Sequence, residues 1–147
     1  MATPKLPPIV PHLCVRGGNA AIAFYEAAFE AKPSMQTMAE DGVRLLHANL
    51  AVFGGQVMLH DEFPEYGGEV LSPHSRHGAS VAISVNFKQP PEVDAIVDRA
   101  AAAGATVQMP AGDMFWGARY ARILDPFGHV WAFNAPLPVP KAPRKKV

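Results

Sequence analysis

The chain has 147 residues, a length that suits one domain burying roughly 68–70% of its unfolded surface. Its 13 Lys and Arg balance 13 Asp and Glu, and charged residues make up 18%, so the composition offers no electrostatic footprint for nucleic acid. No run approaches the ~18 apolar residues of a membrane span, and the lone Cys14 excludes an internal disulfide and points to a reducing compartment, the cytoplasm.

The opening segment MATPKLPPIVP holds Pro4, Pro7, Pro8 and Pro11 and no apolar h-region, so residues 1–7 are expected to be a flexible proline-rich lead rather than a secretory signal. Ile9 to Val15 reads as a strand bounded by Gly17-Gly18. Asn19 is the expected N-cap of a helix over Ala20 to Ala31, with Ile22, Tyr25 and Phe29 at helical spacing and Pro33 as its stop. Ser34 to Ala39 is an edge strand. Val43 to Val52 and Gln56 to Asp61 form a hairpin about a tight Gly54-Gly55 turn.

Residues 63–78, FPEYGGEVLSPHSRHG, read as an unstructured connection, either a linker or a pocket lid, in which His74, Arg76 and His77 form a small cationic cluster. The order then repeats. Ser80 to Phe87 is a strand, and Pro90-Pro91-Glu92 starts a helix that buries Val93, Ile96, Val97 and Ala100 and ends at Gly104. Ala105 to Met109, Tyr120 to Leu124 and Val130 to Asn134 are the remaining strands, with the turn Asp125-Pro126-Phe127-Gly128 between the last two. The segment RLLHANLAVFGGQVMLHD, Arg44 to Asp61, is a faded copy of FWGARYARILDPFGHVWAFN, Phe115 to Asn134. Each half therefore reads β-α-β-β-β and is too small to bury a core alone. The expected layout is module one over 8–62, the connection 63–78, module two over 79–136, and a disordered basic proline-rich tail over 137–147.

The strand-to-helix run LCVRGGNAAIAFYEAAF, the helix exit RAAAAGATVQMP and the closing FWGARYARILDPFGHVWAFN resemble the vicinal-oxygen-chelate superfamily of glyoxalases, bleomycin resistance proteins and dioxygenases. The Trp116-Gly117 and Arg119-Tyr120 pairs before DPFGH look most like its PhnB-like branch. The resemblance implies an α+β fold of two βαβββ modules, with curved mixed sheets around a concave pocket and helices outside. It also implies a homodimer whose modules pair within one chain or across a two-fold axis. Metal-using members take ligands from the first and last strand of each module. Counting four residues from the turn glycines leads to Ala132 and Leu59, and counting back from Val15 and Val85 leads to Val10 and Ser80. None is an imidazole, carboxylate or thiolate, so the usual metal site is expected to be absent.

Alternation along the strands puts His12 and Cys14 with Val10, Asp61 with Leu59, and Asn134 with Ala132 on the pocket side. Leu46, Ala48, Leu50 and Val52 look core-facing, which turns His47 and Asn49 to the concave side; His60 falls on the helix side. Phe115, Trp116 and Arg119 are candidates to cap the pocket. Each has a plainer reading. The strand histidines suit hydrogen-bonded structural roles, and Cys14 suits an inert small hydrophobe. Asp61 suits a strand end, Trp116 suits interface packing, and Arg119 suits an ion pair with Asp113 or Asp125.

Two functions from different classes remain. One is a metal-free binder of an unidentified small molecule, lined by His12, Cys14, His47, Asn49, Asp61, Phe115, Trp116, Arg119 and Asn134. The other is a metal-dependent lyase, isomerase or dioxygenase with a divalent cation on relocated ligands His12, His47 and Asp61, or an acid–base enzyme using His47 and Asp61 as its catalytic pair. Whether any reaction is catalysed is left open by the residues.

Overall fold

The computed structural model describes residues 6–139. Strand β1 (His12–Val15), helix α1 (Gly18–Phe29), β2 (Lys32–Met38), β3 (Leu45–Val52) and β4 (Gly55–Asp61) form module one. Strand β5 (Ala82–Asn86), helix α3 (Pro90–Ala102), β6 (Thr106–Met114), β7 (Ala118–Leu124) and β8 (Val130–Pro136) form module two, and between them lies a four-residue helix α2 (Pro73–Arg76). The sheets are ordered β1-β4-β3-β2 and β5-β8-β7-β6, each mixed, with its first strand parallel to its last. The paired βαβββ architecture is the one expected. Most of the basic tail and residues 1–5 lie outside the described residues; within them, the Leu137 N–H donates to the Gly117 carbonyl at 2.9 Å.

Helix α1 starts earlier than the sequence suggests, and Asn19 does not cap it. The N-cap is Gly17, at φ 92°, and its side-chain acceptor comes from far along the chain. One Asp61 carboxylate oxygen accepts the N–H of Gly17 at 2.7 Å and of Gly18 at 3.0 Å, and the other accepts that of Leu45 at 2.7 Å. A carboxylate on the first amides of a helix satisfies orphan donors and the helix dipole together. Gly18 leaves the room for this contact: a Cβ there would stand 2.5 Å from Leu45 Cβ and 2.7 Å from Asp61 Oδ2. Pro33 does not end α1; the chain turns at Glu30, at φ 56°, and Pro33 lies inside β2.

The connection 63–78 is not structureless. Pro64–Tyr66 makes a 3-10 turn, and Ser72 caps α2 by accepting the Ser75 N–H. Glu62 holds the segment to β1 by accepting the Ser72 N–H at 2.7 Å and pairing with Arg16 at 3.3 Å. Strand β6 runs to Met114 rather than Met109. It is an edge strand whose register shifts twice along β7, and an edge tolerates the missing N–H of Pro110.

The modules share one core. Tyr25 and Phe29 of α1 pack against Trp131 of β8, with ring centroids 5.6 and 4.9 Å apart, and Phe53 and Phe133 close the cluster. Each such buried ring contributes about 1.5–3 kcal/mol by leaving water. The DPFGH turn fastens this joint. Asp125 is buried, one of its oxygens accepts the N–H groups of Phe127 and His129, and the other accepts Tyr25 O–H and Trp131 Nε1–H. Helices α1 and α3 pack side by side. The helix-covered faces of both sheets are therefore spent on the shared core, and the opposite faces are left open.

Candidate functional site

The open face of module one follows from the strand register. His12 pairs with Met58 and Cys14 with His60 across β1–β4, while Asn49 pairs with Met58 across β3–β4. These side chains share a face with His47. The His12 ring lies 4.6 Å from that of His60 and 5.7 Å from that of His47. His47 Nε2 meets Asn49 Oδ1 at 2.9 Å, and the Asn49 amide nitrogen donates to Met35 sulfur at 3.3 Å. The Asp61 carbonyl accepts from His60 Nδ1 at 2.7 Å. Burial, then His60, then His47, push the His12 pKa below the ordinary imidazole value.

Two expectations fail here for one reason. Asp61 and Leu59 lie on the helix side, and His60 lies on the open face. The hairpin turn is centred on Phe53 and Gly54, both at positive φ, rather than on Gly54-Gly55. Counting four residues from Gly54 reaches Met58, the open-face position, where counting from Gly55 reaches buried Leu59. A slip of one residue exchanges the faces of a strand. Leu46 is not core-facing either: it is the extra residue of a bulge opposite Thr37–Met38 and is 50% exposed.

Cys14 is 2% exposed, and its thiol is pushed up to about 11, first by burial and then by Glu62 and Asp61. That is an inert thiol at neutral pH. Its carbonyl accepts from His129 Nε2 at 2.8 Å, a tie from module two to β1. Beside it, a cavity of about 670 Å³ runs along the free edges of β1 and β5 and under the connection, lined by His12, Cys14, Arg76, Ser80, Val81 and His129.

The open face of module two carries Tyr120 and Arg122 of β7 with Ala132 and Asn134 of β8, paired as Tyr120–Asn134 and Arg122–Ala132. Trp116, in the β6–β7 turn, stands edge-on to Tyr120 at 5.4 Å, and its indole N–H points to Asn134 Oδ1 at 3.5 Å. Phe115 is 98% exposed and lies 5.1 Å from Trp116. Arg119 points the other way. It makes a two-pronged pair with Asp94 of α3 at 2.6 and 2.7 Å and reaches Asp113 at 2.9 Å, and these hydrogen bonds raise its pKa further.

The candidate residues thus fall into groups that one chain does not bring together: His12, Cys14, His47 and Asn49 on one open face, and Phe115, Trp116 and Asn134 on or beside the other, while Asp61 and Arg119 face the helices. The sequence places His60 on the wrong face and does not single out Tyr120 and Arg122 as candidates. The signal for the first was the correct turn glycine, and for the others the two-residue spacing back from Leu124.

Residues 5–133 match the family model described as the Glyoxalase/Bleomycin resistance protein/Dioxygenase superfamily. The chain belongs to this superfamily. An uncharacterised protein of Mycobacterium bovis is 40% identical to this superfamily member over 138 residues, 93% of this chain and 88% of its own. TioX from Micromonospora sp. ML1 superposes with a TM-score of 0.68 at 26% identity, covering 88% of this chain and 98% of that one. The PhnB protein from Bacillus cereus shares the fold at a TM-score of 0.66 and 17% identity, over 88% and 99% of the two chains.

The divalent metal of metal-using glyoxalases does not fit the residues present. The open-face positions corresponding to its ligands are Val10, Met58, Ser80 and Ala132, which supply two hydrocarbons, a thioether and a hydroxyl where anionic or imidazole donors are needed. The relocated set His12, His47 and Asp61 is divided between two faces, and both Asp61 oxygens are taken by backbone N–H groups.

Proposed function

We propose that this superfamily member binds a small molecule non-covalently, without the usual metal, in a pocket formed where the open face of module one in one copy meets the open face of module two in a second copy. The observation that carries the reading is the back-to-back packing of the modules, which commits both helix-covered faces to one core. It leaves imidazoles on one bare sheet face and an aromatic group on the other. Each face alone is a surface, and a small-molecule site is normally concave. A two-fold pairing turns two such surfaces into two equivalent pockets. Exposed Met35, Leu46, Phe115 and Trp116 beside these faces are apolar area that a second copy would cover. The buried, free Cys14 fits a cytoplasmic protein.

Native mass spectrometry and metal analysis of untagged protein test this directly. A dimer without stoichiometric metal, whose melting temperature rises with aromatic ligands and ceases to do so in Trp116→Ala, is the expected result. Tightly bound metal that is lost in His12→Ala, or a monomer at micromolar concentration, contradicts it.

A further inference from the structure

We infer that Arg122 anchors an anion in this pocket and that the ligand class is a planar aromatic carboxylate, an inference that rests on the small-molecule reading above. Among the described residues, Arg122 and Arg76 are the arginines with no carboxylate to neutralise them, and Arg76 gives its guanidinium to the Glu69 carbonyl in the connection. Arg16 pairs with Glu62, Arg44 with Asp41 and Glu65, Arg99 with Glu30, and Arg119 with Asp94 and Asp113. Among the described residues no carboxylate lies within ion-pair distance of Arg122. Its cross-strand partners are Ala132 and Met109, and no acidic side chain stands on the open face of β5, β7 or β8.

Its donors are also under-used. Nη2 donates to Tyr120 Oη at 3.0 Å, while Nε is buried with no acceptor. A guanidinium carries five N–H donors in a planar fork, and a buried donor left without a partner is unfavourable. A carboxylate accepts two such donors at once and supplies the missing charge.

The neighbours set the shape of the remainder. Tyr120 holds the guanidinium through its hydroxyl and lies beneath it, with the Arg122 carbon 5.9 Å from the ring centroid. Trp116 stands beside Tyr120, and Phe115 beside Trp116, so an aromatic wall adjoins the unneutralised cation. A flat ligand stacks on that wall while its carboxylate reaches Arg122. Asn134, already within reach of the indole N–H, offers a neutral polar contact.

Calorimetric titration of the intact protein with 2-naphthoate and with its uncharged isostere 2-naphthamide tests the inference. The acid should bind at least about tenfold more tightly than the amide. Arg122→Gln should bring the acid down to the affinity of the amide while leaving the amide unchanged, and Arg122→Lys should retain part of the preference. Arg99→Gln, which removes a guanidinium paired with Glu30 away from this face, should alter neither affinity. Equal binding of acid and amide by the parent chain overturns the anion class and leaves the pocket standing. Binding of neither overturns the inference, and the Trp116→Ala ligand screen then judges the pocket by itself. Loss of the dimer in Arg122→Gln, with no preference for the acid in the parent, overturns it as well and makes Arg122 an ion-pair partner of the second copy. Melting curves of each variant separate these outcomes from unfolding.

Discussion

At the residue scale, burial and local partners decide which polar groups are free to act. His12 has its pKa lowered by burial and by two neighbouring imidazoles. The unfolded chain takes up that proton more readily than the folded one. The stability His12 brings is therefore fully present above about pH 6.5 and is lost as the pH falls through that value towards the lower folded one. His12→Gln should flatten the fall in melting temperature between about pH 7 and about pH 5; an unchanged slope would count against the histidine cluster. Glu62 acts in a lower window. Burial alone would raise its pKa, but hydrogen bonds involving Ser72, Ser75 and Arg16 hold it at about 2, so its contribution is present above the ordinary value of 4.5 and disappears below it. Cys14, with a pKa of about 11, should react with Ellman's reagent about 100-fold more slowly in the native protein than in the denatured chain at the same pH. Rapid labelling of the native protein would contradict the buried placement.

At the element scale, two buried aspartates, one at the end of β4 and one in the β7–β8 turn, join pieces distant in sequence. Asp61 caps α1 from β4, and Asp125 ties the last hairpin of module two to Tyr25 of module one. Tyr25→Phe removes one donor from a buried carboxylate and should cost about 1.5–3 kcal/mol in urea unfolding. Gly18→Ala forces a Cβ into Leu45 and Asp61 and should cost roughly 1–3 kcal/mol, whereas Gly68→Ala, which meets nothing, should stay within about 0.5 kcal/mol. These joints also mark what the sequence could disclose. The helices were legible from their apolar spacing, and the βαβββ order from turn residues and the repeat. The true cap of α1 was not, because Asp61 reaches Gly17 only after the sheet has formed. The face of β4 was lost through a choice between Gly54 and Gly55, and with it went His60. Arg119 and Arg122 look alike in sequence; which one faces α3 and which the open side depends on a register that only the paired strands reveal.

At the scale of the whole molecule, one core serves two modules, and two sheet faces are left without cover. A dimer that covers them should melt at a temperature that rises with protein concentration, a dependence that sedimentation at matched concentrations would link to mass. The central claim is that the binding site is shared between copies, and complementation tests it most directly. Trp116→Ala damages the module-two wall and His47→Ala the module-one wall. Each variant alone should bind 2-naphthoate weakly or not at all. When the two are unfolded together and refolded as a mixture, half of the dimers formed at random carry one pocket with both walls intact, so binding should return. If binding stays absent in a mixture shown by mass to contain the hybrid dimer, both walls belong to the same chain and the account is contradicted.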